Sequence, residues 1–162
     1  MHQSRRQCGL TLLELLVTLT ILSIMAAMAL PYAEMTITRG NEMELRRSLR
    51  DIRTAIDRFH EDWRYARISR TDDSVSDDGY PKSLDVLVNG VERSGAKGDK
   101  SYYLRSIPRD PFAASQLAAS EHWRLRGYQD APDSDIWNAT DVYDVHSKSE
   151  RTAIDGSNYR EW

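Results

Sequence analysis

The sequence predicts an α+β protein in which one long N-terminal helix packs on a small antiparallel sheet. Three observations lead to this fold. An apolar run over 10–30 is long enough for a membrane-spanning helix, a helical apolar stripe follows it, and short alternating segments come last. The predicted organisation is a leader over 1–9, a membrane-spanning helix over 10–31, an amphipathic stem helix over 32–68 and a globular domain over 69–162.

Charge and cysteine usage exclude several classes of protein. The formal net charge is −3 and no basic stripe is present, so nothing suggests nucleic-acid binding. The single cysteine, Cys8, precedes the apolar run. A chain without its leader therefore has no thiol for a disulfide scaffold or for nucleophilic catalysis.

The apolar run has the length and the flanks of a membrane-spanning segment. Its 21 residues would extend ~31 Å as a helix, against a bilayer core of about 30 Å. Arg5 and Arg6 precede the run, and basic residues keep their side of such a segment in the cytoplasm. The larger part of the chain is therefore predicted to lie outside the cytoplasm.

Glu14 is the only ionisable residue of the apolar run. A carboxylate at the centre of a membrane helix costs roughly 2.5–3.5 kcal/mol, although Glu14 is close enough to the start of the run to lie near the interface. Two interpretations stay open from the residues alone. Glu14 is either a tolerated interfacial glutamate or a carboxylate kept for a positive partner in an assembly.

A basic leader precedes the segment GLTLLE over 9–14, and an apolar run that ends before Pro31 follows it. This arrangement resembles the class III signal of type IV prepilins and type II secretion pseudopilins. The resemblance implies that a prepilin peptidase cleaves between Gly9 and Leu10. It implies that the new amine of Leu10, where the family usually has phenylalanine, is methylated. It also implies that 10–31 becomes the filament core, with Pro31 as an assembly residue, and that Glu14 pairs with the terminal amine of a neighbouring copy.

The stem helix over 32–68 is predicted from apolar residues spaced alternately four and three apart. These residues are Leu45, Leu49, Ile52, Ile56, Phe59 and Trp63. We expect this face to pack on the chain's own sheet, because the stripe is short for a coiled coil. The opposite face offers four-apart ion pairs of Arg53 with Asp57 and of Arg58 with Asp62.

Two residues weaken the long helix. Pro31 has no N–H and frees one helical carbonyl, and Gly40 costs about 1 kcal/mol relative to alanine. We expect a soft point between them, at which the membrane and stem parts reorient when a copy leaves the bilayer.

The globular domain is expected to contain short elements separated by polar loops. The segment 80–88 resembles the pseudopilin stretch in which Tyr-Pro leads into a short helix, and 102–112 resembles the Pro-basic-Asp-Pro-aromatic stretch of major pseudopilins. Alternation over 122–128 and 141–147 predicts strands of a three- or four-stranded sheet. Loops are predicted over 71–79, 89–100 and 129–140.

The C-terminal tail has two open interpretations. In the resembled family this loop binds calcium, and the tail offers Asp155, Ser147 and Glu150, whereas calcium takes 6–8 oxygen ligands with several carboxylates. Alternatively, hydrogen bonds and the packing of Tyr159 and Trp162 hold the loop without a metal.

No enzyme is predicted, because the four histidines lack metal or nucleophile spacing and no phosphate-binding glycine loop is present. The resemblance implies a subunit of a pseudopilus that drives type II secretion. Its partners would be copies of itself, prepilin peptidase, minor pseudopilins, the inner-membrane assembly platform, the secretin and, before assembly, the bacterial inner membrane, with the C-terminal domain in the periplasm. The alternatives are a type IV pilin and, in another class, a signal-anchored periplasmic binding domain.

Overall fold

The computed structural model describes residues 11–132, 134 and 136–162. The chain falls into two units, Met1–Arg39 and Gly40–Trp162. One helix, α1, Leu12–Arg64, contributes to both units, and it ends four residues before the predicted end of the stem. The helix continues through Pro31 and Gly40. Reorientation between these two residues during assembly stays a prediction.

The core of the second unit forms on one face of α1. The predicted stripe is buried there from Leu45 to Phe59, and Trp63 is half-buried against it. Burial of such a face is the main source of helix stability in proteins. The residues that cover this face come from the rest of the domain, as predicted, and include Ile68, Leu84, Leu87, Val91, Trp123, Val142, Val145 and Tyr159.

A short helix and a hairpin follow the loop over 71–79. The helix α2, Leu84–Asn89, confirms the helix predicted over 80–88. Strands β1, Val91–Arg93, and β2, Ala96–Ser101, pair antiparallel, so the loop predicted over 89–100 was wrong. The strands carry mainly polar residues and give no alternating pattern. Backbone bonds from Ser69 N to Glu92 O (2.8 Å) and from Ser94 N to Arg67 O (2.9 Å) hold the hairpin instead.

A second pair of strands completes the domain. Strands β3, Trp123–Arg126, and β4, Asp144–Ser147, are antiparallel, with Trp123 opposite Ser147. Both lie inside the predicted strands over 122–128 and 141–147 but are shorter. The described residues form two two-stranded sheets, so the single three- or four-stranded sheet was wrong. The stretch before β4 bonds elsewhere, with Val142 N donating to Pro81 O at 2.8 Å.

Candidate processing and assembly site

The residues of the predicted cleavage site, Gly9 and Leu10, lie outside the described residues. Cleavage between them and methylation of Leu10 therefore stay predictions. The structure describes the chain from Thr11, the residue before α1.

Thr11 caps the N-terminus of α1. The Glu14 N–H donates to Thr11 Oγ1 at 3.2 Å, and the Leu15 N–H donates to the Thr11 carbonyl at 3.1 Å. Sequence reasoning missed this role of Thr11, although Thr-x-x-Glu before an apolar run is a helix-start signature. The cap fixes Glu14 in the first turn, where the helix dipole favours a negative charge. The Glu14 carboxylate has no hydrogen bond or ion pair to any other described residue.

The first part of α1, residues 12–27, is an apolar rod that includes Glu14 and has all of its side chains exposed. Its large apolar residues are exposed by between 48% at Leu15 and 80% at Leu12. In the described part of the chain, α1 is the helix that is long and apolar enough to cross a membrane. A contiguous apolar surface of this size needs a cover, which is either lipid or another protein.

The three hydroxyl groups of the apolar rod are satisfied within the helix. The hydroxyls of Thr18, Thr20 and Ser23 donate to carbonyl oxygens three or four residues earlier, at 2.7–3.0 Å. Such bonds are needed in a bilayer, where no water is present to take a free donor. The apolar rod therefore suits a lipid environment in spite of its polar residues. Pro31 lies further along α1, and its role in assembly stays a prediction.

The three residues considered for calcium have different partners. Ser147 is buried, and its hydroxyl donates to Asp110 Oδ2 at 2.5 Å. Asp155 is exposed, and its Oδ1 accepts from the backbone and hydroxyl of Ser157. Glu150 is exposed. No group of three or more His, Cys, Asp or Glu side chains suited to a metal occurs among the described residues. A calcium site in the tail stays a prediction.

Contacts with α1 hold the tail, and we call this set the C-terminal clasp (Glu42, Arg46, Asp155, Tyr159 and Trp162). Glu42 Oε1 accepts from the Ile154 N–H at 2.8 Å and from the Tyr159 hydroxyl at 2.9 Å. Arg46 lies over the Trp162 ring, 4.2 Å from its centroid, and pairs with Asp155 at 3.4 Å. Trp162 thus docks as the sequence predicted.

Burial and the hydrogen bond to Glu42 raise the pKa of Tyr159 to about 12. The phenol therefore stays protonated at neutral pH and remains a donor to the Glu42 carboxylate. This bond ties the tail to the first turns of the part of α1 that carries the core.

Asp144 at the start of β4 is the centre of a charged cluster. It accepts from Arg53 Nε at 2.8 Å and from Arg126 at 3.1 Å, and His146 Nε2 lies 3.3 Å away. Burial would raise the pKa of Asp144, but the adjacent His146 ring and the hydrogen bond and charge of Arg53 outweigh it and hold that pKa well below its usual range. The charged cluster links α1 to the second sheet.

The ion pairs predicted along α1 were wrong. Arg53 pairs with Asp144 rather than with Asp57, and Asp62 binds Arg67 at 3.1 Å and the Tyr103 hydroxyl at 3.0 Å rather than Arg58. A four-apart pair on a helix surface contributes only about 0.2–0.5 kcal/mol, so partners from the folded domain displace it easily.

The segment 108–112 contacts both α1 and the second sheet, because the Ser48 hydroxyl donates to the Arg109 carbonyl at 3.5 Å and the Ser147 hydroxyl donates to Asp110 Oδ2. The Asp110 N–H donates to His122 Nδ1 at 3.3 Å, and Asp110 Oδ1 accepts from the Phe112 N–H at 2.7 Å. Because His122 Nδ1 is an acceptor, its Nε2 carries the proton and donates to the Leu117 carbonyl at 3.2 Å. We call this the Asp110 junction, and it uses both ring nitrogens of His122 for structure rather than for chemistry.

Comparison with known proteins identifies the N-terminal segment. Residues 4–30 match the family described as the prokaryotic N-terminal methylation motif, and this range contains Gly9, Leu10 and Glu14. No curated protein and no solved structure matches the chain. The motif implies processing by a prepilin peptidase, anchoring in the inner membrane before assembly, and self-assembly into a filament. The chain thus combines this N-terminal motif with a type IV pilin-like α+β fold, in which a long N-terminal helix packs on small antiparallel sheets.

Proposed function

We propose that the chain is a structural subunit of a pseudopilus, the periplasmic fibre that drives type II secretion across the outer membrane. The observation that carries its role as a filament subunit is the exposure of the apolar rod, 12–27. Burying apolar surface gains about 25 cal/mol per Å², so the rod is stable only when lipid or other rods cover it. Lipid covers it before assembly, and identical rods cover it afterwards.

Glu14 gives the assembly its specificity. A rod that moves from lipid into a bundle of rods exchanges one apolar environment for another, so the hydrophobic effect contributes little to this step. The Glu14 carboxylate has no partner within the described chain. The amine that cleavage would create at Leu10 of a neighbouring copy supplies the missing positive charge. Processing and assembly are therefore linked, because the partner exists only after cleavage.

Two features favour a secretion pseudopilus over a type IV pilus. Many type IV pilins close their C-terminal region with a disulfide, whereas this chain has no cysteine after Cys8 and uses the C-terminal clasp. The stretch that resembles major pseudopilins, 102–112, includes the Asp110 junction, which positions the second sheet. These features support the major pseudopilin assignment within the type IV pilin-like class.

The test is a pair of substitutions at Glu14 in the full chain, expressed with its prepilin peptidase. Glu14→Ala should be inserted and cleaved normally, but its yield of sheared filaments should fall at least about tenfold, which corresponds to about 1.4 kcal/mol. Glu14→Asp keeps the charge and should retain more filaments than Glu14→Ala. Mass spectrometry of the N-terminus measures processing. A normal filament yield from Glu14→Ala contradicts the role of this carboxylate.

Deletion of the chain separates the alternatives. For a pseudopilus subunit, exoproteins accumulate in the periplasm while surface pili persist. For a type IV pilin, surface pili are lost while secretion continues. A signal-anchored binding domain would keep its initiator segment and remain monomeric in the bilayer, which mass spectrometry and cross-linking of the native protein reveal.

A further inference from the structure

One flank of α1 carries an arginine groove, which we define by Arg50, Arg58 and Arg105. The groove has a volume of about 510 Å³ and also contains Asp51, so three cations face one carboxylate. All three arginines are exposed, and none forms an ion pair with a carboxylate in the described part of the chain. The groove therefore has a net positive charge that the domain does not neutralise.

Within the described part of the chain, the fold takes away one carboxylate that could pair with Arg58 along the helix. Asp62, the residue four after Arg58, is occupied by Arg67 and the Tyr103 hydroxyl. Arginine presents a planar fork of donors that fits a carboxylate, and it is less strongly hydrated than lysine. A groove of free guanidinium groups is therefore suited to carboxylates from another molecule.

The other flank of α1 carries an acidic double loop, which we define by Asp73, Asp77, Asp78 and Asp130. Gln129 Nε2 donates to Asp78 Oδ2 at 2.9 Å and joins the two loops. None of the four aspartates forms an ion pair with a described cation. Asp73 and Asp77 are exposed. The double loop is therefore a fixed surface of negative charge.

Asp141 is buried, and its pKa is affected by the negative charges of this surface. Its oxygens accept from the Tyr128 N–H at 2.8 Å and from the Ser76 hydroxyl at 3.3 Å. Burial raises the pKa of Asp141, and the charges of Asp78 and Asp130 raise it further despite these bonds. The carboxylates of Asp78 and Asp130 therefore lie close enough to Asp141 to act on its ionisation.

The two surfaces lie on opposite flanks of α1 and at different heights. Gly79, at the end of the first acidic loop, bonds His60 through its carbonyl at 3.3 Å, while Tyr103, next to the groove, bonds Asp62. Residues two apart on a helix point about 200° apart. Along the axis of α1, the groove lies beside 50–58 and the double loop lies beside 60–63. At ~1.5 Å per residue, the two surfaces are offset by roughly 10 Å along this axis.

We propose that the arginine groove of one copy receives the acidic double loop of the next copy in the fibre. This contact rests on the proposed function, because it deepens the account of how the fibre assembles. It joins two different surfaces of the same chain, so it is a head-to-tail contact that repeats along an open helix rather than closing a dimer. Neighbouring copies are then staggered by roughly 10 Å along α1.

Charge reversal and charge exchange test the contact in the full chain. The variant Arg58→Glu/Arg105→Glu and the variant Asp77→Lys/Asp78→Lys should each lower the yield of sheared filaments at least about fivefold, because like charges then face each other. A chain that carries all four substitutions restores opposite charges and should recover to within about twofold of the wild type. Arg64→Glu is the matched control, because Arg64 is an exposed arginine of α1 outside the groove.

Cysteine cross-linking tests the same contact directly. Residues 11–162 contain no cysteine, so the pair Arg58→Cys and Asp77→Cys introduces the reactive thiols. Oxidised filaments of the double variant should give a ladder of multimers, and either single variant should give none. Filaments that form without a ladder, or a four-substitution chain without recovery, overturn the contact and leave the proposed function intact. A wild-type chain that forms no filaments overturns the proposed function instead.

Discussion

The two halves of α1 differ in what covers their apolar side chains. In the apolar rod, 12–27, every side chain is exposed, whereas the face from Leu45 to Phe59 is buried by the chain's own domain. Both halves are helical, and each carries large apolar side chains. One part of the helix therefore has a complete core within the chain, whereas the other has an apolar surface that needs lipid or another protein to cover it.

The largest contrast is expected from one truncation in each region. Trp123→Ala removes a buried ring whose Nε1–H donates to the Pro108 carbonyl at 3.0 Å, and it should cost about 3–5 kcal/mol of domain stability. Leu19→Ala, at a position that is 59% exposed, should leave that stability unchanged and reduce filament yield instead. Thermal unfolding of the full chain in detergent, followed by near-ultraviolet circular dichroism, measures the first effect. An equal loss of melting temperature in both variants would break the comparison.

A second substitution examines where the buried half of α1 ends. Gly79 has a φ of +81°, and a β-carbon there would lie 2.3 Å from the ring of Trp63. Gly79→Ala combines backbone strain with overpacking and should cost about 2–4 kcal/mol. Gly98→Ala is the control, since Gly98 has a φ of +89° but no atom within 4 Å of the added carbon, and it should cost about 1–2 kcal/mol. Similar losses of melting temperature in the two variants would show that the Trp63 contact contributes nothing.

The first half of α1 could be predicted from the sequence because its signals are local. The length of the apolar run, its basic flank and the offset of Glu14 from Gly9 all lie within the N-terminal segment. The buried stripe of the second half was predictable for the same reason, since one helical period fixes its face. Both signals can be recognised in the sequence without knowledge of the rest of the fold.

The site contacts of the domain could not be predicted because they join distant residues without a repeating pattern. Glu42 and Tyr159 are 117 positions apart, and Arg53 and Asp144 are 91 apart. The nearer candidates, four residues away on the helix, offered weak exposed pairs that the folded domain replaced. The hairpin β1–β2 escaped prediction because its polar strands are held by backbone bonds to the preceding loop.

The charged cluster around Asp144 should make domain stability depend on pH. The pKa of Asp144 is lowered in the folded state, so its carboxylate stabilises the fold above its unfolded value of 3.8, and this contribution is lost as the pH falls through and below that value. Asp144→Asn should cost about 2 kcal/mol at neutral pH, since it removes hydrogen bonds from charged groups. The difference from the wild type should shrink below about pH 4.

Melting temperatures between pH 3 and pH 7 measure this difference. Asp57→Asn is the matched control, because Asp57 is exposed on the same helix that supplies Arg53 and forms no ion pair among the described residues. Its melting temperature should follow that of the wild type at every pH. A constant gap for Asp144→Asn across the whole range would mean that packing, rather than the carboxylate charge, explains its loss.

The smallest effect is expected from the C-terminal clasp. Tyr159→Phe keeps the stacking on Phe112, with ring centroids 4.2 Å apart, but removes the bond to Glu42, and it should cost about 1 kcal/mol at pH 7. Because the pKa of Tyr159 is raised from 10.0 to about 12, the fold favours the neutral phenol, so the wild type loses stability as the pH rises above 10 while the phenylalanine variant does not ionise. The gap in melting temperature should therefore narrow between pH 9 and pH 11, relative to an exposed control, Tyr65→Phe. If the two melting temperatures are equal at pH 7, ring packing alone holds the tail, and the bond to Glu42 does not stabilise the domain.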